Sequence, residues 1–281
     1  MASSGNEKTY RLKFNDSPAS PEVIDYLSLG PGAMAGESAL ADEIALALSY
    51  NGIGHAVMMM SPGNLEDFVL GFSLTNNIVS FPDEIHDIRV SGIGDTRVAE
   101  IDISNRAFWA LKQSRRQLAG TSGCGMCGVE AMEQALPLLS ELEPAPVPRS
   151  GLFRNLRSRI CVAQQAARLS GALHAALYFD DRGTVRLCRE DIGRHNALDK
   201  LIGGLSTSSL DLRQGFVVVT SRCSLELVQK AVRARIGTLA SLSAPTALAV
   251  KWARKYRLNL VHVPHRSAPR VYSPVQKAAD S

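Results

Sequence analysis

The segment from Ala172 to Val263 constrains the fold most, because stretches of strand length alternate there with stretches of helical period. Ala172–Phe179 and Thr184–Cys188 read as a hairpin around Asp180-Asp-Arg-Gly183. A helix near 194–203 follows, then a strand at 216–220, a helix at 224–234, a strand at 238–242, a helix at 246–256 and a strand at 258–263. This alternation implies a sheet covered by helices, with parallel crossovers in this half of the chain. The expected fold class is α/β: a mixed sheet covered by helices, with a smaller, β-rich N-terminal part.

Upstream, residues 1–36 read as an irregular lead-in and residues 42–60 as a hairpin, in which Ile44, Leu46, Leu48 and Tyr50 alternate before an Asn51-Gly52 turn. Met58, Met59 and Met60 read as core packing. A helix is expected over 64–76, with Asn64 as N-cap and Leu65, Phe68, Val69 and Phe72 on one face. Two strands over 86–103 break at Gly92–Gly94, and Glu130–Leu139 is expected to be helical. Glu141–Pro148 is the best linker, since its prolines exclude regular structure. A helix carrying Leu156, Ile160, Ala163 and Ala167 runs to a stop at Ser170-Gly171. The division expected is an N-terminal α/β part over 37–140 and a C-terminal α/β part over 150–275.

The 281 residues carry 31 basic and 27 acidic side chains, a net charge of +4. That excess is too small to argue for nucleic acid, but it leaves room for a local pocket that binds an anion. Arg154, Arg157 and Arg159, like Lys230, Arg233 and Arg235, read as solvated helix faces. The N-terminus is polar, and no apolar run approaches the roughly 20 residues that span a bilayer. A cytoplasmic protein with reduced thiols is therefore expected, with no membrane partner.

Of five cysteines, Cys124 and Cys127 stand apart, in Gly123-Cys-Gly-Met-Cys-Gly128. The glycines let backbone approach a ligand, and N–H groups at such a turn favour thiolate over thiol. Zinc would need four ligands, and no second Cys or His pair exists to complete the set, so no metal site is expected. Thioredoxin-like exchange and persulfide carriage both remain open on the residues alone. Cys161 and Cys188 read as small buried hydrophobes, while Cys223 adjoins Arg222 at a strand-to-helix turn suited to a phosphate. Downstream, Glu190–Lys200 places Arg194, His195 and Lys200 around Gly193. The plain alternative is that Asp191 or Asn196 caps a helix while Asp199 and Lys200 are solvated. His174 fits a core position as well as a site.

Taken together, the ordered segments Ser61–Thr75, Gly120–Gly128, Ser170–His174, Glu190–Lys200, Ser221-Arg222, Glu226, Lys230 and Ala244–Thr246 resemble the formate dehydrogenase accessory sulfurtransferase family (FdhD), over about residues 40–275. The resemblance implies a cytidine-deaminase-like fold and a homodimer. It also implies a sulfurtransferase that takes persulfide sulfur from a cysteine desulfurase. The sulfur goes to the molybdenum bis(molybdopterin guanine dinucleotide) cofactor of formate dehydrogenase, a bound substrate rather than a resident group. By the same resemblance Cys124 carries the persulfide and Cys127 is the second thiol. The guanine-nucleotide end falls to Val263, Pro264, His265, Arg266, Ser267 and Ala268, and Arg194, His195, Lys200 and Arg222 suit the phosphates. Residues 262–272 are poorer in glycine and arginine than the family pattern, and Asn76 stands where the family carries an acid. This departure keeps a second class open: a non-catalytic chaperone that binds the cofactor or a guanine nucleotide.

Overall fold

A computed structural model describes residues 22–30, 32–120 and 136–274. Strands β1 (Glu22–Leu27) and β2 (Ala35–Leu40) pair antiparallel, so regular structure begins inside the stretch read as irregular. β3 (Ile44–Tyr50) and β4 (Ile53–Met60) form the expected hairpin, and α1 (Leu65–Thr75) follows. Asn64 does not cap α1 with its side chain; it takes a left-handed conformation (φ 57°, ψ 46°), which asparagine tolerates better than most residues. β5 (Ile85–Ile93) and β6 (Thr96–Ile103) complete a four-stranded sheet of order β4-β3-β6-β5. α2 (Asn105–Gly120) fills a stretch to which the sequence pattern assigned no element. Residues 137–149 have no regular structure, so the helix expected over Glu130–Leu139 does not extend through its last residues; 130–135 lie outside the described residues.

The second half contains α3 (Leu156–Ala163), α4 (Ala167–Ser170), β7 (His174–Phe179), β8 (Val185–Asp191) and α5 (Arg194–Ser206). It continues through β9 (Phe216–Val219), α6 (Leu225–Arg233), β10 (Thr238–Ser241), α7 (Ala247–Lys255), β11 (Asn259–His262) and β12 (Arg270–Ser273). The six-stranded sheet has the order β12-β11-β10-β9-β7-β8, with β9, β10 and β11 parallel. The fold is therefore mixed α/β. The single helix expected from Leu156 to Ser170 is broken because Glu190 captures three backbone N–H groups: its Oε2 accepts from Gln165 (2.8 Å) and Ala166 (2.9 Å), and its Oε1 from Ala167 (2.9 Å). Those donors cannot also serve a continuous helix.

The central strands are buried on both faces, which accounts for their unbroken apolar runs. Val217, Val219, Leu239 and Leu260 meet α5, α6 and α7; Val218, Ala240 and Val261 meet Phe153, Leu156 and Ile160 on the other side. A separate cluster joins the four-stranded sheet to α1 through Leu46, Ile101, Phe68 and Phe72. Met60 belongs to it, whereas Met59 is exposed and Met58 only partly buried, so the three methionines do not share one role. The proline-rich linker is docked: Asn259 Nδ2 donates to the Ala145 (3.0 Å) and Pro146 (3.3 Å) carbonyls.

Candidate functional site

Parallel β9, β10 and β11 deliver their following loops to one edge of the sheet. β7 begins at that edge with His174 and β8 ends there with Asp191, its register partner. The N-termini of α5, α6 and α7 therefore open on this edge, and the N–H groups of a helix's first turn, which have no intrahelical acceptor, favour an anion; at α7 the Thr246 side chain already accepts one, from Ala249. Such edges are where open α/β sheets bind ligands. Arg194 is half-buried and Arg222 exposed there, and the 263–268 loop arrives after β11. Within that loop His265, Arg266, Ser267 and Ala268 are exposed and Pro264 is half-buried. Val263 instead packs into the core beside Val218 and Val261, so its side chain is not a contact for an incoming ligand.

Arg157 does not sit on a solvated face. Its Nη2 donates to the Leu242 carbonyl (3.1 Å) and the Val263 carbonyl (3.4 Å), tying together the loops after β10 and β11. No local sequence signal reveals this, because the acceptors are backbone atoms far along the chain. His262 closes β11 with a buried Nδ1 that has no hydrogen-bond partner among the described residues.

Beside this edge, a cleft of about 470 Å³ lies between the end of α1, β4, α5 and α6. His195 enters it from the first turn of α5, with Nε2 2.9 Å from Glu226 Oε2. Deeper in, Lys230 Nζ contacts both Asp199 oxygens (2.8 and 2.7 Å), and Thr75 Oγ1 donates to Asp199 Oδ1 (2.7 Å). Arg233 Nη1 donates to the Thr75 carbonyl. Burial pushes the Asp199 carboxyl above the usual range, and Lys230 and Thr75 oppose that shift. Asp199 is thus a buried, paired group, and Lys230 and Arg233 hold the end of α1 rather than facing solvent.

Lys200 is corrected most sharply. Its side chain is 0% exposed; Nζ lies 2.7 Å from Asp191 Oδ2 and donates to the Ser61 carbonyl at 2.8 Å. From there it cannot reach a cofactor's phosphates. Asp191 also accepts from the N–H groups of Ser61 (3.0 Å) and Gly193 (2.8 Å) and from Asn196 Nδ2 (3.1 Å), so it does contribute to the start of α5. The pair is the joint between the residue after β4 and the edge that carries Arg194 and His195.

Burial also lowers the pKa of three imidazoles. It is the leading cause for His174, with Arg194 adding to it, and for His262, where Arg270 and Arg157 add to it. For His195, burial outweighs the opposing pull of Glu226. In the unfolded chain a histidine titrates near about 6.5. Protons therefore bind the unfolded state first, and the stability these groups contribute is full above that pH and lost as pH falls through it. Asp199, with its raised folded pKa, acts in the opposite sense. Thermal melts from about pH 7.5 to about pH 5.5 should show a falling Tm, with a shallower slope in His195→Gln and His262→Gln. A slope unchanged in both variants would exclude this origin.

Cys124 and Cys127 fall in 121–135, outside the described residues; α2 ends at Gly120, four positions before Cys124. Cys161 is exposed on α3, contrary to expectation, and Cys188 is only half-buried. Cys223 is the buried one, and burial pushes its thiol up to about 12. The Cys188 thiol is likewise pushed to about 12, by burial and then Glu190. Neither provides a ready thiolate. Among the described residues no group of three or more His, Cys, Asp or Glu side chains is placed to hold a metal ion, and no helix is long and apolar enough to cross a membrane.

These features define a mixed α/β protein whose polar sheet edge is flanked by a cleft of paired charges. The chain belongs to the FdhD/NarQ family, whose model matches residues 41–279. It is 42% identical over 243 residues to the sulfur carrier protein FdhD of Bordetella petrii, covering 86% of this chain and 87% of that one. It is 44% identical over 239 residues to the protein of that name from Xanthomonas campestris pv. campestris, covering 85% of each. In fold it is similar to the crystal structure of a protein assigned as a formate dehydrogenase accessory protein from Desulfotalea psychrophila. There the TM-score is 0.70 at 19% identity, over 90% of this chain and 97% of the other.

Proposed function

We propose that this chain is a cytoplasmic, homodimeric sulfurtransferase that serves formate dehydrogenase. The Cys124 thiolate attacks the terminal sulfur of a cysteine desulfurase persulfide. A new S–S bond forms on Cys124, the donor's S–S bond breaks, and the donor cysteine leaves as thiolate. The Cys127 thiolate then attacks Cys124 Sγ: a Cys124–Cys127 disulfide forms, the persulfide S–S bond breaks, and the outer sulfur leaves at the sulfide level for the molybdenum bis(molybdopterin guanine dinucleotide) substrate. The thiol pair thus supplies the two electrons, and a thiol reductant must reduce the disulfide before the next cycle. The observation that carries this reading is the Cys124-Gly-Met-Cys127 pair, kept within the 41–279 family match. The polar edge supports it: Arg194, His195, Arg222 and the exposed residues His265–Ala268 suit a ligand bearing several phosphates. Lys200 and Val263 contribute by holding that edge in place. The cytidine-deaminase-like class is our reading of the six-stranded sheet, by family resemblance.

Incubation with a cysteine desulfurase and cysteine, followed by peptide mass spectrometry, should place one extra sulfur on the 121–128 peptide. Cys124→Ala should abolish that gain; a variant that still acquires the same persulfide would remove Cys124 from the role. The second reading, a non-catalytic chaperone, draws on the glycine-poor 262–272 segment. Guanine-nucleotide binding that survives loss of both loop cysteines, with no persulfide ever formed, would favour it.

A further inference from the structure

We propose that the outward face of α2 is the docking surface for the sulfur donor, a protein presenting an acidic patch; this rests on the sulfur-carrier reading above. α2 seats on the N-terminal cluster through Ala107 and Leu111, with Phe108 partly buried beside them. Its other side carries Trp109, 57% exposed, with Lys112 Nζ 5.0 Å from the ring centroid. Asn105, Trp109 and Lys112 recur at the spacing that places residues along one helical stripe.

Charge along this stretch is one-sided. From Ile103 to Val129 there is no Asp or Glu, while Arg106, Lys112, Arg115 and Arg116 add four positive charges. Only Arg106 has an acidic partner among the described ion pairs of this stretch, Glu84 at 2.8 Å. A solvated helix ordinarily mixes signs to gain local pairing. An exposed tryptophan beside Lys112, in a stretch without acidic residues, instead matches the aromatic anchor and charged rim of a protein interface. Chemistry selects the occupant. A second copy would bring two cationic helices together and repel. A nucleic acid would stack bases on the indole, but Lys112 already lies over that ring. An acidic protein surface meets neither obstacle.

Position explains the use. Cys124 is four residues beyond the end of α2, so the extended chain limits its distance from Gly120 to about 14 Å. Trp109 lies 11 residues, about 16 Å of helix, before Gly120, so Cys124 stays within about 30 Å of a donor anchored at Trp109.

The test compares Trp109→Ala and Lys112→Glu with wild type in three measurements: affinity for a cysteine desulfurase, persulfide loading from that desulfurase below saturation, and loading from a small-molecule persulfide. Both variants should lose on the order of tenfold in affinity and in desulfurase-dependent loading. Loading from the small molecule and the melting temperature should be unchanged. Lys112→Glu should also flatten the salt dependence of binding. If both variants bind and load from the desulfurase like wild type, the docking surface is wrong while the sulfur-carrier reading stands. If wild type binds the desulfurase but never gains a persulfide, the carrier reading fails and affinity alone decides the surface. Wild type that does not bind at all overturns the surface. So does a loss confined to binding of a DNA duplex, which would reassign α2 to nucleic acid.

Discussion

Lys200→Met should cost on the order of 3–5 kcal/mol of folding stability, because it strands a buried carboxylate. Lys200 and Asp191 are both 0% exposed and meet at 2.7 Å. Removing the ammonium leaves Asp191 with three hydrogen-bond donors but no countercharge, and leaves the Ser61 carbonyl without the Lys200 bond. Water cannot reach the site to compensate. The double variant Asp191→Asn/Lys200→Met removes both charges and should recover much of the loss, since a buried pair often contributes little net stability beyond an uncharged replacement. Urea unfolding of the two single variants and the double variant measures this. A single variant as stable as wild type, or a double variant worse than the sum of the singles, would refute the assignment. The pair also joins Ser61 to the start of α5, so the single variant should loosen that joint more than the double variant does, read by amide hydrogen exchange at the start of α5.

Gly71→Ala should be as damaging, and for a steric reason. α1 and α5 cross with their backbones in contact. A Cβ on Gly71 would overlap the Asp199 carbonyl oxygen, lie 2.6 Å from its carbon and 2.9 Å from the Gly203 nitrogen. From the other side, a Cβ on Gly203 would lie 2.6 Å from the Asp67 carbonyl carbon and overlap its oxygen. In an isolated helix alanine gains about 1 kcal/mol over glycine. Here the obstacle is backbone, which cannot rotate away, so the helices must separate and surrender packing. Overpacking of this kind costs about 1–3 kcal/mol and sometimes more; at a backbone contact we expect the upper end, enough to outweigh the helical gain. Gly204→Ala is the control. Its Cβ would meet the ends of the Leu187, Asp67 and Arg189 side chains, the nearest at 2.9 Å, and these can shift. Chemical denaturation should rank Gly204→Ala near wild type and Gly71→Ala and Gly203→Ala far below it. Equal stability across the three would contradict the close crossing.

The alternation over 172–263 was legible because its physics is local. Strands buried on both faces must be apolar throughout, and Phe216–Val219, Thr238–Ser241 and Asn259–His262 lie within a residue or two of where the pattern places them. α2 was not legible, since its buried stripe amounts to Ala107, Phe108 and Leu111 among polar residues. The break between α3 and α4 was hidden for another reason: its cause, Glu190, lies more than 20 residues downstream.

The sequence by itself determined the α/β class and the family, and it singled out Cys124 and Cys127 as the thiols to test. Those follow from short-range patterns and from residue types at fixed spacing. Only the tertiary structure decided which charges stay at the sheet edge and which are buried. Asp199 and Lys200 are neighbours that the sequence reads as part of one polar site or, in the plain alternative, as solvated charges, and both are buried. Successive residues on a helix diverge by about 100°, so Asp199 turns to Lys230 and Thr75 while Lys200 turns to Asp191 and Ser61. A charge can be buried only beside a partner, and most of these partners come from distant parts of the chain. Of the cations expected to meet a cofactor, Lys200 is therefore a buried strut, and Arg194 and Arg222 remain at the edge.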